Sequence, residues 1–240
     1  MEGLKMSNKF KNNLHIFTQN LKDIYKEELL SLILYGSAAS GEFIDKHSNL
    51  NVLVVLKNTD LSNLKKASGV INKFKMINPL FLTEDYITSS TDIFPIEFID
   101  MQENYILLYG KDILKEINID IKNLRFQCEQ ELKAKLIHLR QGYIRINNDK
   151  AALRNLLFRS FTSVLHILRN VLRLKNKKPS YLKQDILKEV ALEFPIDTII
   201  WGKILAAKNK QIKLSNKETE ELFVDFVRAL EEIVGMVDKL

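Results

Sequence analysis

Four residues stand out as able to do chemistry together: Gly36, Ser37, Asn49 and Asn51. Gly36 lets the backbone approach an anion closely. Ser37 and the N–H groups after it, at the start of a helical turn, suit a phosphate. Residues 49 and 51 are two apart on what reads as a strand, so both side chains point to one face. Carboxylates at such a pair would hold Mg²⁺ and, through it, a triphosphate. Asparagine instead offers a neutral carbonyl oxygen and no charge. The pair is therefore poor in metal-binding power while still able to hydrogen-bond a nucleotide.

The elements that must position these residues follow from periodicity. Residues 8–29 read as an amphipathic helix, with Phe10, Leu14, Phe17, Leu21, Ile24 and Tyr25 at three- and four-residue steps. Leu32 to Tyr35 is a buried strand closed by Gly36-Ser37, and Leu50 to Leu56 is a second strand rich in Val and Leu. Residues 61–75 look helical, Pro79 to Leu82 reads as a third strand, and Thr83 caps a short helix reaching Ser90. Phe94 to Ile99 reads as a fourth strand, with a short helix near Tyr105. Beyond about residue 122 no strand signal recurs. Helical periodicity covers 123–146, 150–174, 180–193, 196–208 and 217–239, with Pro179 and Pro195 near helix starts. The expected fold class is α+β, with a mixed-sheet domain over 1–120 followed by an all-α helical bundle over 121–240. The short connection near Asn118 to Lys122 predicts halves that pack together around a cleft.

The stretch Leu34-Tyr35-Gly36-Ser37-Ala38-Ala39-Ser40-Gly41-Glu42-Phe43, then His47-Ser48-Asn49-Leu50-Asn51-Val52-Leu53-Val54-Val55-Leu56, resembles the signature of the DNA polymerase β-like nucleotidyltransferase superfamily. There a strand ends in Gly-Ser, and a Ser-Asp-x-Asp opens the next strand. Ser37 and Asn49 stand twelve positions apart, which matches that pattern. The resemblance covers the N-terminal half and implies ATP or another NTP with Mg²⁺ as cofactors. It also implies a third carboxylate on a neighbouring strand. Pro95-Ile96-Glu97-Phe98-Ile99-Asp100 looks like that strand. Glu97 and Asp100 face opposite ways on a straight strand; Glu97, mid-strand, is the favoured catalytic and metal-binding acid, because an ionised group there is costly unless it faces a site. This chain departs from the pattern at Asn49 and Asn51, and losing both carboxylates removes most of the counter-charge a two-metal site needs.

In the helical half, residues 150–174 form the most apolar helix. Asn155, Arg159, Thr162, His166, Arg169 and Arg173 fall in one stripe at 100° per residue. That stripe is either solvated or a polar wall able to contact phosphate. Arg159 and His166, six residues between them, also fit the spacing of the HEPN ribonuclease motif, where an Arg and a His support general acid–base cleavage of RNA.

Bulk numbers narrow the classes. The 240 residues are 46% hydrophobic and 28% charged, as in a globular chain, and the net charge of +6 admits a phosphate-bearing partner. The lysines are dispersed apart from Lys175, Lys177 and Lys178, which read as a solvated loop rather than a nucleic-acid patch. Cys128 is the one cysteine, so neither a disulfide framework nor a thiolate cage is expected. The polar start lacks a signal-peptide core and no run is long enough for a bilayer, so no membrane partner and a cytoplasmic location are expected. The functional expectation is a nucleotidyltransferase-like, nucleotide-binding protein with lost or weakened transfer. The alternatives are an active adenylyltransferase with Glu97 as sole carboxylate, acting on a small molecule or protein, and a toxin–antitoxin-like or RNA-processing module using Arg159 and His166.

Overall fold

The computed structural model describes residues 6–40, 49–146, 149–175, 177–194 and 196–240. The middle of the motif, from Gly41 through His47 and Ser48, lies outside the described residues, as does Pro195. The chain divides into two compact units, Met1–Asp120 and Ile121–Leu240.

The first unit is built on a four-stranded mixed sheet. Its strands are β1 (Leu29–Tyr35), β2 (Leu50–Leu56), β3 (Ile77–Leu82) and β4 (Tyr105–Gly110), in the order β3-β2-β1-β4. β1 pairs antiparallel with both β2 and β4, and β2 pairs parallel with β3. The two central strands read as nearly unbroken apolar runs because both of their faces are covered. On one face Leu32, Leu34, Val52 and Val54 pack with Leu14, Phe17 and Leu21 of α1 (Asn8–Tyr25). On the other, Ile33, Leu53 and Val55 pack with Ile87 of α5 (Glu84–Ser89) and with Phe98 and Met101 of α6 (Pro95–Glu103). Pro79 sits in β3, at the sheet edge, where a missing N–H costs no ladder bond on the open side.

Local chemistry explains the boundaries. α1 stops at Tyr25, short of the expected residue 29, because Lys26 turns to a positive φ of 46°. β1 then begins three residues before the expected Leu32, since Leu29 pairs with Leu56 and Ser31 with Val55. The expected helix over 61–75 is two short ones, α3 (Leu61–Lys65) and α4 (Ser68–Lys73). The Thr83 hydroxyl accepts the Tyr86 N–H and caps α5, as its position suggested.

Two adjoining expectations are corrected. Phe94 to Ile99 is not a strand: Pro95 occupies the first turn of helix α6, where its fixed φ and absent N–H are favourable. A short apolar run cannot distinguish helix from strand by periodicity alone, and here the flanking proline was the better guide. Tyr105 lies in strand β4 rather than a helix, paired with β1 along Tyr35 to Ser31. That strand ends at Gly110, whose φ of 81° and position only 2.0 Å (for an added Cβ) from the Leu30 carbonyl oxygen admit no side chain.

The second unit contains α8 (Ile121–Ile146), α9 (Lys150–Leu174), α10 (Lys183–Glu193), α11 (Thr198–Lys208) and α12 (Asn216–Val237), after the short α2 (Ser37–Ser40) and α7 (Ile113–Glu116) of the first. Asp149, Asp197 and Ser215 cap α9, α11 and α12, and Ser215 forms a capping box with Glu218. α9 is central: Phe161 meets Trp201 and Phe226 with ring centroids 5.6 and 6.0 Å away. Cys128 is fully buried, and burial above all pushes its thiol up to about 12, which makes it an inert core residue. Among the described residues no helix is long and apolar enough to cross a membrane.

Candidate functional site

The Gly36-Ser37 turn stands at the end of a central strand. Gly36 has a φ of 77°, in the left-handed region, and an added Cβ would lie 3.2 Å from the Asn51 side-chain nitrogen. The backbone at this φ favours glycine, and a Cβ would press on the Asn51 side chain. Tyr35, just before the turn, is the Cα partner of Asn51, so the turn and the second motif are brought together by the β1–β2 ladder. Asn49 is exposed and immediately precedes β2.

The third position follows from pairing. Asn78, near the start of β3, is the Cα partner of Asn51 on the neighbouring strand, and its Nδ2 donates a long hydrogen bond, 3.5 Å, to Asn51 Oδ1. Cross-strand partners point to the same face. Asn78 therefore lies beside Asn51 on the adjacent strand, on the same face of the sheet. The sequence reading missed it. Its only local signal was an Asn-Pro opening an apolar strand, and nothing local ties that strand to β2.

Glu97, expected on a strand over Phe94 to Ile99, stands instead in the first turn of α6 and is exposed. Asp100 follows one helical turn later, so the two acids share a side of the helix rather than facing opposite ways. α6 does cover the same face of the sheet as Asn51, because Phe98 packs with Leu53 and Val55.

Mg²⁺ demands near-octahedral oxygen ligation and usually one or two carboxylates. The paired strands supply amides at 51 and 78, and Asn51 Oδ1 already accepts a hydrogen bond. Among the described residues no three His, Cys, Asp or Glu side chains are grouped to hold a metal ion. The described donors at 51 and 78 do not fit the ion that the resemblance implies.

Two phenols continue the line. Tyr105 on β4 is the Cα partner of Tyr35. Burial raises the pKa of Tyr35. Burial, then a 2.9 Å hydrogen bond to Asp112 and its charge, pushes Tyr105 up to about 12. Both stay protonated near neutral pH.

The stripe on α9 divides. Arg159 and His166 are exposed. Arg169 and Arg173 are only 5% and 7% exposed. The Arg169 guanidinium lies 3.8 Å from the Tyr181 ring centroid, and Arg173 donates to the Asn170 side-chain oxygen. These two arginines are engaged within the helical unit.

No protein-family model matches the sequence, and no curated protein does. Among solved structures, the chain is similar to the spectinomycin adenyltransferase AAD(9) from Enterococcus faecialis, determined with ATP and spectinomycin. The TM-score is 0.59 at 12% identity, over 92% of this chain and 99% of that one. A nucleotidyltransferase-like protein from Exiguobacterium sibiricum also aligns, with a TM-score of 0.41 at 14% identity, over 93% of this chain and 75% of that one. At such identities the AAD(9) likeness establishes the fold: α+β and nucleotidyltransferase-like.

Proposed function

We propose that the chain, having a nucleotidyltransferase-like fold, binds a nucleotide and has lost or greatly weakened nucleotidyl transfer. One observation carries this reading. Asn51 and Asn78 are hydrogen-bonded partners beside the Gly36 turn, where transfer chemistry would call for carboxylates. The turn and its Ser37 keep their place at the end of β1, so the means of holding a phosphate outlasts the means of holding a catalytic ion. ATP is the nucleotide to try first, since the AAD(9) structure contains it.

A second reading keeps transfer alive, with Glu97 as sole carboxylate. It draws support from α6 lying over the same sheet face. Calorimetry with ATP, paired with a pyrophosphate-release assay in Mg²⁺, separates the two. The expected result is ATP binding without release above background. Release by the native chain that disappears in Glu97→Gln would establish the second reading instead. Asn49→Asp, Asn51→Asp and Asn78→Asp together should bind Mn²⁺ alone about a hundredfold or more tighter than the native chain, because three charges then face the ion.

A further inference from the structure

Asn78, Asn51, Tyr35 and Tyr105 are successive Cα partners across β3, β2, β1 and β4. They form one row on one face of the sheet, beside the Gly36 turn. None of the four side chains is charged at neutral pH, and Tyr105 is occupied by Asp112. The hydrogen bond from Asn78 Nδ2 orients the next amide. Asn51 Oδ1 is turned toward Asn78, and Asn51 Nδ2 lies on the Gly36 side, where an added Cβ would be 3.2 Å away. Asn51 Nδ2 is thus the N–H donor placed beside the turn, while Asn51 Oδ1 is turned away from it toward Asn78.

This reverses the electrostatic logic of a carboxylate site. Three carboxylates repel a polyphosphate, so such a site needs divalent cations before it can hold one. A row of amides and a phenol exerts no such repulsion, and its donors can meet phosphate oxygens directly. The adjoining Lys75, exposed two residues before β3, adds positive charge at the same end of the sheet.

We propose that the Asn78–Asn51–Tyr35 row is a metal-independent site for the phosphate chain of a nucleotide, its neutral donors replacing a carboxylate-bound cation. The proposal rests on the nucleotide-binding reading above and adds that the bound form is the free polyphosphate rather than its Mg²⁺ complex.

The test is calorimetric titration of the full chain with ATP, in EDTA and again in excess Mg²⁺. The two affinities should agree within about threefold, whereas a site that must recruit an ion gains about tenfold or more by linkage. Asn78→Asp sets a charge in the row, and should lower the affinity in EDTA about tenfold or more and recover part of it in Mg²⁺. Asn78→Ala, which removes the donor without adding charge, should weaken binding equally in both buffers. Asn78 is exposed on an edge strand, so both variants should keep the native melting curve. ATP binding that tightens tenfold or more with Mg²⁺ overturns this inference and leaves the nucleotide-binding reading standing. An Asn78→Asp affinity equal to native in EDTA removes Asn78 from the site and overturns it too. No ATP binding in either buffer overturns both.

Discussion

The sheet unit and the helical unit treat polar groups in opposite ways. Across the sheet, a row of uncharged side chains opens beside a backbone turn, with Asn78 exposed at its edge. In the helical unit, charge is buried: Arg169 lies against Tyr181, and Arg173 reaches Asn170, which is 0% exposed. Burying a guanidinium is costly unless its hydrogen bonds and packing are supplied, and Tyr181 and Asn170 supply part of them here. A neutral row, half-buried except at the exposed Asn78, costs less to maintain than buried charge. The contrast warns against reading positive charge as the mark of a phosphate site. Here Arg169 and Arg173 are buried in the helical unit while Arg159 is exposed, and the phosphate site proposed above is built from amides and a phenol.

The comparison can be broken most directly at Arg173. Arg173→Ala leaves the buried Asn170 oxygen without its donor and should cost about 1–3 kcal/mol, read as a lower midpoint in chemical denaturation. ATP affinity should not change. A variant that melts like native but loses ATP affinity would exchange the roles assigned to the two regions.

Gly36→Ala sharpens the other side. An alanine held at φ 77° costs roughly 1–2 kcal/mol from backbone strain. The new Cβ also presses on the Asn51 amide, so stability and ATP affinity should fall together. Unchanged ATP affinity in a folded Gly36→Ala protein would detach the turn from the amide row.

The smallest effect concerns pH. The Tyr105 phenol is raised from 10.0 to about 12 in the folded chain. A pKa raised by folding contributes stability that is complete below the unfolded value and is lost as pH climbs through the folded one. Tyr105 should therefore weaken the fold only between pH 10 and about 12. An absorbance titration should show a late phenolate step that Tyr105→Phe removes. If all 7 tyrosines ionise together near pH 10, the phenol end of the row is more open than described.

What the sequence determined by itself was local. Apolar periodicity placed the helices of the second unit to within a few residues, because one buried stripe per helix is written directly into the residue spacing. The Gly36-Ser37 turn at the end of one strand and Asn51 at the opening of the next were legible from the order of the motif. Asn49, by contrast, precedes β2, so the face it was expected to share with Asn51 is not fixed by the strand. Tertiary structure alone decided the neighbours. Asn78 meets Asn51 only through parallel pairing of β2 with β3, a register set by long-range packing on both sheet faces. Glu97 lost its strand because a short apolar run after a proline folds as whichever element its surroundings can bury, and here that was a helix lying on Leu53 and Val55. Arg169 and Arg173 look like exposed cations in any helical projection. Tyr181, which lies over Arg169, comes from chain beyond the end of that helix, and a one-dimensional pattern carries no record of it.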